Sequence, residues 1–288
     1  MTSLARRRIV KMNGIGNAIA VLDLRASPHV VTAAEARAIS RIPGLAFDQL
    51  IVLHDPRTPG SAARLAIYNN DGSISDSCGN GTRCVAWLLM REAGGTGLLL
   101  ESDAGPLAVT REGEFTFTVD MGPPRFGWRD IPLSRAVADT ARVPLEPPVA
   151  GAPEVFAAIS MGNPHAIFFV PDAGAVDLRA LGPKIEHHLL FPERTNVSFA
   201  QITSRDRIVL RVWERGAGAT LACGSAACAT LVAAARAGLS DRRAAVALPG
   251  GELTITWRPD DAHVLMTGPV EFEFETRLDP AAFAEIAA

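Results

Sequence analysis

The sequence contains few of the residues on which several common kinds of protein chemistry depend. Only two of its 288 residues are lysines, Lys11 and Lys184, and neither lies in a segment that would cradle a phosphate. Pyridoxal phosphate, the usual electron sink for chemistry at an amino-acid α-carbon, is attached through a lysine. We therefore expect this chain to work without that cofactor.

The chain also lacks a strong net charge and any long apolar run. Its formal net charge is −3, and Arg6-Arg7-Arg8 is the only basic run, so we expect neither nucleic acid nor an anionic membrane as a partner. No stretch approaches the roughly 18 apolar residues of a membrane helix. No apolar segment of the kind found in a secretory signal follows Arg8. These features predict a cytoplasmic protein.

Cysteine is scarce, and its spacing argues against the usual metal and redox motifs. The pairs Cys78/Cys84 and Cys223/Cys228 do not have the C-x-x-C spacing, and no histidine pair lies near them in the sequence. We therefore predict neither a zinc site nor a redox dithiol, and we expect thiols in a reducing compartment. The side chains of adjacent helical residues diverge, so His187-His188 is interpreted as a surface pair.

Two Cys-Gly steps, Cys78-Gly79 and Cys223-Gly224, lie 145 positions apart, and each follows a polar turn and opens a segment typical of a helix. The first turn runs from Asp71 to Ser77. At a helix N-terminus, backbone N–H groups and the macrodipole favour a thiolate, which predicts a lowered pKa for both thiols. Cys84 and Cys228 fall inside the apolar runs that follow and are predicted core residues.

The sequence around these steps is repeated. Gly105-Pro106-Leu107 and Met121-Gly122-Pro123 recur as Gly251-Glu252-Leu253 and Thr267-Gly268-Pro269, with nearly the offset of the cysteines. A nearly constant offset through several landmarks indicates an internal duplication.

Many short β-like runs, among them Gln49–His54 and Val155–Ser160, with few long helices indicate an α+β fold in which each sheet curls around one prominent helix. A capping box at Thr32-Ala33-Ala34-Glu35 predicts one further helix. A second is predicted over 176–190, broken near Gly182-Pro183, and a last short one after Asp279-Pro280. The expected domains are an N-terminal half (1–130), a C-terminal half (131–270) and a terminal segment (271–288). For the terminal segment, packing against the first half is one alternative that the sequence leaves open.

Two thiols suit the inversion of a carbon centre, because one thiolate removes a proton from one face while one thiol supplies a proton to the other. The resulting carbanion must be stabilised. Helix N-termini aimed at a carboxylate supply preorganised N–H donors for this purpose, here from Gly79, Asn80, Gly224 and Ser225. The sequence thus indicates proton transfer at a carbon next to a carboxylate.

Seven motifs, in order and in register across residues 11–228, resemble the diaminopimelate epimerase family. They are Lys11-Met12-Asn13-Gly14-Ile15-Gly16-Asn17, Phe47-Asp48-Gln49, Asn69-Asn70-Asp71-Gly72-Ser73, Cys78-Gly79-Asn80-Gly81-Thr82-Arg83-Cys84, Met161-Gly162-Asn163-Pro164-His165, Thr195-Asn196-Val197, and Glu214-Arg215-Gly216-Ala217-Gly218 running to Ala222-Cys223-Gly224. The resemblance implies two pseudo-symmetric half-domains, each a curled, mostly antiparallel sheet around a central helix, with the active site in the cleft between them. It also implies a homodimer.

The function implied by the resemblance is that of a cofactor-independent isomerase. It would interconvert LL- and meso-diaminopimelate, a small-molecule substrate, for the biosynthesis of lysine and of cell-wall precursors. Cys78 and Cys223 would be the catalytic acid and base, His165 an auxiliary group, and no metal would be required. The implied substrate-binding residues are Asn17, Gln49, Asn69, Gly79, Asn80, Asn163, Asn196, Glu214, Arg215, Gly224 and Ser225.

The sequence departs from the family pattern at three places. Ala18-Ile19 stands where the family usually has an acidic residue and then an apolar one, Ala219 replaces a common glutamate, and Ser225-Ala226 replaces the usual Thr-Gly. Of these changes, Ala226 is the one most able to reduce the space at the start of its helix, because it adds a methyl group where the family usually has glycine.

Three other functions compete with this one. A two-thiol racemase or dehydratase of the same fold, acting on proline or hydroxyproline, is the nearest. Arg215 and the asparagines favour a longer substrate with a second charged end. An inactive ligand-binding member of the fold would have lost one thiol, and a thiol redox protein would keep its reactive pair close in sequence.

Overall fold

A computed structural model describes residues 4–75 and 78–286, with side chains as far as Phe283; Asp76 and Ser77 of the predicted turn lie outside the described residues. The chain divides into two compact units. The first comprises Met1–Val119 with Gly268–Ala288, and the second comprises Asp120–Thr267.

The first unit is a mixed sheet with two α-helices and a terminal 3₁₀ helix. Its first ten elements are β1 (Arg8–Gly14), β2 (Asn17–Asp23), α1 (Ala33–Ser40), β3 (Gln49–His54), β4 (Ala63–Asn69), β5 (Ile74–Ser75), α2 (Gly79–Ala93), β6 (Gly97–Ser102), β7 (Gly105–Arg111) and β8 (Thr116–Asp120). Strand β8 extends one residue past the limit of the unit. The end of the chain adds β18 (Glu271–Arg277) and the 3₁₀ helix Pro280–Ile286. The predicted capping box is confirmed, because the Thr32 hydroxyl accepts from the Glu35 amide and the Glu35 carboxylate accepts from the Thr32 amide.

The second unit repeats that arrangement with two further helices. Its elements are β9 (Val143–Pro144), β10 (Val155–Ser160), β11 (Pro164–Phe169), α3 (Leu178–Glu186), β12 (Asn196–Ser204), β13 (Arg207–Glu214), β14 (Gly218–Ala219), α4 (Gly224–Arg236), β15 (Arg243–Leu248), β16 (Gly251–Trp257) and β17 (Val264–Pro269), which ends two residues past the limit of the unit.

The strand pairings of the two units confirm the predicted duplication. In the first unit β1 pairs antiparallel with β2, β2 parallel with β3, β3 antiparallel with β4, and β4 parallel with β6. In the second unit β10, β11, β12, β13 and β15 pair in the same succession of antiparallel and parallel contacts. In both units one helix connects the parallel neighbours and one longer helix follows a two-residue strand.

Each unit carries one central helix that is buried nearly all round. The side chains from Asn80 to Met90 of α2 are all buried, as are those from Ala226 to Ala234 of α4. A helix with no solvent-facing stripe must be enclosed by other elements. The predicted α+β class, with two pseudo-symmetric half-domains whose sheets curl around a central helix, is therefore confirmed, and Cys84 and Cys228 lie fully buried in those helices as predicted.

Smaller helices cover the outer side of each sheet. In the first unit α1 and the terminal 3₁₀ helix pack Ile39 and Phe283 into a cluster with Leu22, Leu50 and Tyr68. In the second unit α3 packs Leu181 and Ile185 against Phe156, Phe168 and Phe199. The predicted cap of the terminal helix is present, because the Asp279 carboxylate accepts from the Ala281 amide.

The prediction of a break in α3 near Gly182-Pro183 was wrong, since the helix runs through Pro183. A proline inside a helix removes one hydrogen bond. Here the burial of Leu181 and Ile185 on either side holds the helix together. The surface interpretation was also wrong for His188, which is buried and whose Nε2 donates to the Pro147 carbonyl at 2.8 Å, while Nδ1 accepts from the Leu190 amide.

Among the described residues, none of the helices is long and apolar enough to span a membrane.

Candidate active site

Cys78 is the N-cap of the central helix α2. The Gly81 amide donates to Cys78 Sγ at 3.1 Å, and the Thr82 amide and hydroxyl both donate to the Cys78 carbonyl at 2.8 Å. Cys78 is 9% exposed, so its sulfur lies at the end of the helix with little access to water. A donor directed at the sulfur, together with the positive end of the helix dipole, favours a negative charge there.

Gly81 leaves room for this sulfur. A Cβ atom at position 81 would lie 3.2 Å from Cys78 Sγ and only 2.7 Å from Ile51 Cδ1. The Gly81 amide approaches the sulfur closely because the residue has no side chain. Glycine at position 81 therefore allows the hydrogen bond from the helix backbone to the Cys78 sulfur.

The polar residues predicted for the first unit lie at strand ends or in the first turn of α2. Gln49 begins β3 and faces Asn69 at the end of β4, and Gln49 Nε2 donates to Asn69 Oδ1 at 3.3 Å. Asn17 begins β2. The buried oxygens Asn17 Oδ1 and Gln49 Oε1 have no hydrogen-bond partner among the described residues. These two oxygens are therefore available to accept hydrogen bonds.

Cys223 is the N-cap of the second central helix, α4, and is 5% exposed. Its Sγ lies 3.6 Å from the hydroxyl oxygen of Ser225. Burial raises the pKa of the Cys223 thiol well above its usual value, and the nearby Glu214 carboxylate raises it further, against a lowering by the Ser225 hydroxyl. The expectation of a lowered pKa was therefore wrong for Cys223, because desolvation outweighs the helix terminus.

A chain of hydrogen bonds connects Cys223 to His165. Asn163 Nδ2 donates to Ser225 Oγ at 3.3 Å, and Asn163 Oδ1 lies 2.8 Å from His165 Nε2. Since the Asn163 oxygen can only accept, His165 must carry its proton on Nε2. Three residues that were predicted separately are thus brought into one network beside the Cys223 sulfur.

His165 is fully buried and neutral. Burial, with a contribution from the positive charge of Arg215, lowers the pKa of His165 to about 3. The imidazole therefore stays uncharged across the physiological range. It serves as a fixed hydrogen-bond donor to Asn163 and not as a source of positive charge.

This buried histidine predicts an acid-sensitive fold. Because the pKa of His165 is about 3 when folded and about 6.5 when unfolded, the unfolded chain binds the extra proton and stability is lost as the pH falls through that window. The contribution of His165 should reach about 1.4 kcal/mol per pH unit. Urea unfolding of wild type and His165→Gln between pH 7 and pH 4 measures it, and parallel stability curves would contradict it.

The segment that runs from the end of β13 into the following loop carries Glu214 and Arg215, and several contacts fix this loop. Asn196 Oδ1 accepts from the Arg215 amide at 3.0 Å, and Asn196 Nδ2 donates to the Pro164 carbonyl at 2.9 Å. The Thr220 hydroxyl donates to the Glu214 carboxylate. Asn196 therefore orients the loop, and its amide group retains one further hydrogen for a ligand.

The charged groups of this loop act on the predicted site. Glu214 raises the pKa of Cys223, and Arg215 lowers that of His165, so both charges reach the network beside α4. Arg215 is half-buried, and its guanidinium donates to the Glu193 carbonyl at 3.3 Å. In the second unit, six predicted residues are thus brought together: Asn163, His165, Glu214, Arg215, Cys223 and Ser225.

The family model described as diaminopimelate epimerase matches residues 9–127 and 157–273, which is most of the chain. The chain belongs to the diaminopimelate epimerase family.

Full-length relatives agree with this assignment to the diaminopimelate epimerase family. The chain is 59% identical to a protein of Methylocella silvestris and 58% identical to one of a Methylobacterium species, with complete coverage of both chains in each comparison. Both relatives are named diaminopimelate epimerase.

Solved structures show how widely the fold of this family is shared. A probable proline racemase from Agrobacterium radiobacter superposes with a TM-score of 0.70 at 16% identity, covering 98% of this chain and 95% of the other. A predicted epimerase from Pseudomonas aeruginosa gives a TM-score of 0.68 at 20% identity, covering 94% and 99%. At such low identities the likeness shows the fold alone.

Two buried charged residues that contact candidate residues or their loop could not be identified by sequence reasoning alone. Arg83 is fully buried in α2, and its Nη2 donates to Asn80 Oδ1 at 3.0 Å. Glu186 is buried at the end of α3 and contacts the loop of Glu214 and Arg215. For Arg83, the sequence offered one indication, which was a charged residue within an apolar helical run. For Glu186, the sequence offered no indication of its role.

Proposed function

We propose that this protein is an isomerase that interconverts LL- and meso-diaminopimelate without a cofactor, and so supplies lysine and cell-wall biosynthesis. The observation that carries the proposal is the duplicated placement of Cys78 and Cys223 as N-caps of the two buried central helices. Membership of the diaminopimelate epimerase family supports the choice of reaction. The two thiols act on opposite faces of one α-carbon.

The surroundings of the two sulfurs differ in a way that suits one acid and one base. Cys223 is held as a thiol by burial and by Glu214, so it is prepared to give a proton. Cys78 accepts a hydrogen bond from the Gly81 amide, a contact that a thiolate strengthens. The reverse reaction begins with Cys78 as the thiol and Cys223 as the thiolate, the two protonation states that the forward reaction leaves behind.

Binding of the α-carboxylate is assigned to the first turns of the central helices. The N–H groups of the first turn of a helix have no hydrogen-bond partner within that helix. In α2 they include those of Gly79 and Asn80, and in α4 those of Gly224 and Ser225. These donors stabilise the negative charge that spreads onto the carboxylate when the α-proton leaves. In other enzymes, one such preorganised donor contributes about 2.7–4 kcal/mol.

The remaining polar residues bind the distal end of the substrate. Arg215 pairs with the distal carboxylate through its planar fork, which permits two parallel hydrogen bonds. The unpartnered oxygens of Asn17 and Gln49 accept from an ammonium group. Asn69, Asn163 and Asn196 complete the polar lining.

Substrate specificity tests the proposal directly. Purified protein under reducing conditions should epimerise LL-diaminopimelate and leave L-proline unchanged, because a proline-sized ligand has no second charged end for Arg215. Coupled assays or chiral chromatography of both amino acids measure this. Racemisation of proline without turnover of diaminopimelate would establish the competing function that the shared fold suggests.

We further propose a cytoplasmic homodimer. A reducing cytoplasm keeps both catalytic sulfurs available for proton transfer, whereas oxidation would abolish it. Sedimentation equilibrium at micromolar concentration tests the oligomeric state, and fractionation of cells tests the location.

A further inference from the structure

Glu186 is a buried carboxylate that lies against the loop carrying Glu214 and Arg215. It is 3% exposed and ends helix α3. Its Oε2 accepts from Trp213 Nε1 at 2.7 Å, and its Oε1 accepts from the Gly216 amide at 2.8 Å. The two donors thus flank the Glu214-Arg215 pair on both sides in the sequence.

The position of this carboxylate is unfavourable for the helix that carries it. The C-terminal end of a helix is its negative pole, where an acidic residue is disfavoured. Burial of a carboxylate is costly as well, unless hydrogen bonds and a counter-charge compensate. Here Arg194 Nη1 lies 3.6 Å from Glu186 Oε1, but its side chain is 51% exposed. Helix stability therefore does not account for Glu186, whereas its contacts with the loop do.

These contacts complete a set that fixes the loop backbone. Three successive amides have defined acceptors: Arg215 donates to Asn196 Oδ1, Gly216 to Glu186 Oε1, and Ala217 to the Glu214 carbonyl. Each acceptor comes from a different part of the chain. The backbone on both sides of the Arg215 side chain is therefore set before any ligand binds.

Helix α3 is shaped to bring Glu186 to this loop. A Cβ atom at Gly182 would lie 2.4 Å from Cγ of Trp213, so the indole ring packs directly on the helix backbone. The helix and the indole thus approach more closely than any residue larger than glycine allows. One turn later, Glu186 meets the indole N–H of the same Trp213.

We propose that Glu186 is a positioning residue, which holds the loop so that Arg215 is preorganised for the distal carboxylate of the substrate. The proposal rests on the proposed function and adds to it a residue outside the predicted site. Glu186 acts through the Gly216 amide and Trp213 and does not touch the substrate. Preorganisation of this kind lowers the cost of ordering the loop on binding.

Glu186→Gln tests this role with little change in volume. Glutamine has one acceptor oxygen and one donor nitrogen, whereas Trp213 and Gly216 are both donors, so one contact is lost. We expect KM for LL-diaminopimelate to rise about three- to tenfold, in keeping with one buried hydrogen bond. We expect kcat to change less than about twofold, because the Thr220 hydroxyl still holds Glu214.

A double-mutant comparison separates positioning from general destabilisation. In an Arg215→Ala background, Glu186→Gln should raise KM no further, since the group that it positions is absent. Glu35→Gln is the matched control, because Glu35 is also a helical carboxylate, 4% exposed, that accepts from a backbone amide. It should lower the melting temperature without changing KM.

The outcomes distinguish the two proposals. Absence of LL-diaminopimelate turnover in wild type would overturn the proposed function. Two results in an active wild type would overturn the role of Glu186. One is an unchanged KM in Glu186→Gln, and the other is an equal KM effect in the Arg215→Ala background or in Glu35→Gln.

If Glu186→Gln does not fold, Trp213→Phe removes one donor and leaves the carboxylate. It should raise KM about twofold or more at unchanged kcat, and an unchanged KM would refute the proposal.

Discussion

Replacing either Cys78 or Cys223 by alanine is expected to lower kcat for diaminopimelate epimerisation by about 10²- to 10⁴-fold, the usual contribution of one acid–base group. Each variant loses proton transfer on one face of the α-carbon, and inversion requires both faces. The two losses should not add in the double variant, because either single change already blocks the complete reaction. Steady-state kinetics with LL-diaminopimelate and with meso-diaminopimelate measure the effect in both directions.

The chain offers matched controls for these variants. Cys84 and Cys228 are fully buried in the same two helices, and burial raises the pKa of Cys84 to about 12. Cys84→Ala and Cys228→Ala should therefore keep activity within a few-fold while losing some stability from the cavity. Wild-type activity in Cys78→Ala or Cys223→Ala would mean that the thiol in question is not a catalytic group.

Replacing Arg215 by alanine is expected to lower kcat/KM by roughly 10- to 100-fold, mainly through KM. The reason is the loss of charge-assisted hydrogen bonds to the distal carboxylate, each worth about 1.5–3 kcal/mol. Arg215→Lys should recover only part of the loss, since an ammonium keeps the charge but lacks the planar fork. Kinetics with diaminopimelate, and inhibition by an analogue that lacks the distal carboxylate, measure the effect.

Arg211 supplies the control for the Arg215 variant. It lies on β13, four residues before Arg215, and its guanidinium donates to the Gly174 and Val176 carbonyls, away from the predicted site. Arg211→Ala should leave KM unchanged. An equal rise of KM in both variants would indicate a general disturbance of β13 and would remove Arg215 from the binding site.

Elements whose own sequence pattern decides their structure were predicted well. The strands Gln49–His54 and Val155–Ser160 were predicted with the observed bounds, because both are short apolar runs bounded by turns. The capping box at Thr32 and the two Cys-Gly helix starts are likewise local signals. The duplication was readable because its landmarks keep a nearly constant offset along the chain.

Elements that depend on partners distant in sequence were not predicted. Strand β18 has alternating glutamates and is largely exposed, so it has little hydrophobic signal; it forms because it pairs with β1. Strand β1 itself, Arg8–Gly14, was not predicted either. Helix α3 continues through Pro183 because tertiary packing outweighs local propensity, and the same packing buries His188.

The positions of the candidate cysteines on their helices were predictable from the sequence, but the electrostatics around them were not. A cysteine before a glycine at a helix start correctly predicted the N-cap position of Cys223. The sequence could not show that burial and Glu214 together raise the pKa of that thiol. Nor could it show that Glu186 lies beside Gly216, since thirty positions and two strands separate them.

The most direct test of Cys78 and Cys223 as an acid–base pair is the fate of the α-proton when LL-diaminopimelate reacts in deuterated water. If one thiol removes the proton and the other delivers a solvent-derived deuteron, the meso product formed early in the reaction should be fully deuterated at the inverted carbon. The remaining LL substrate should still carry protium. Retention of the substrate proton in the product, or early deuteration of unreacted substrate, would indicate a single base and would contradict the assignment of Cys78 and Cys223 as an acid–base pair.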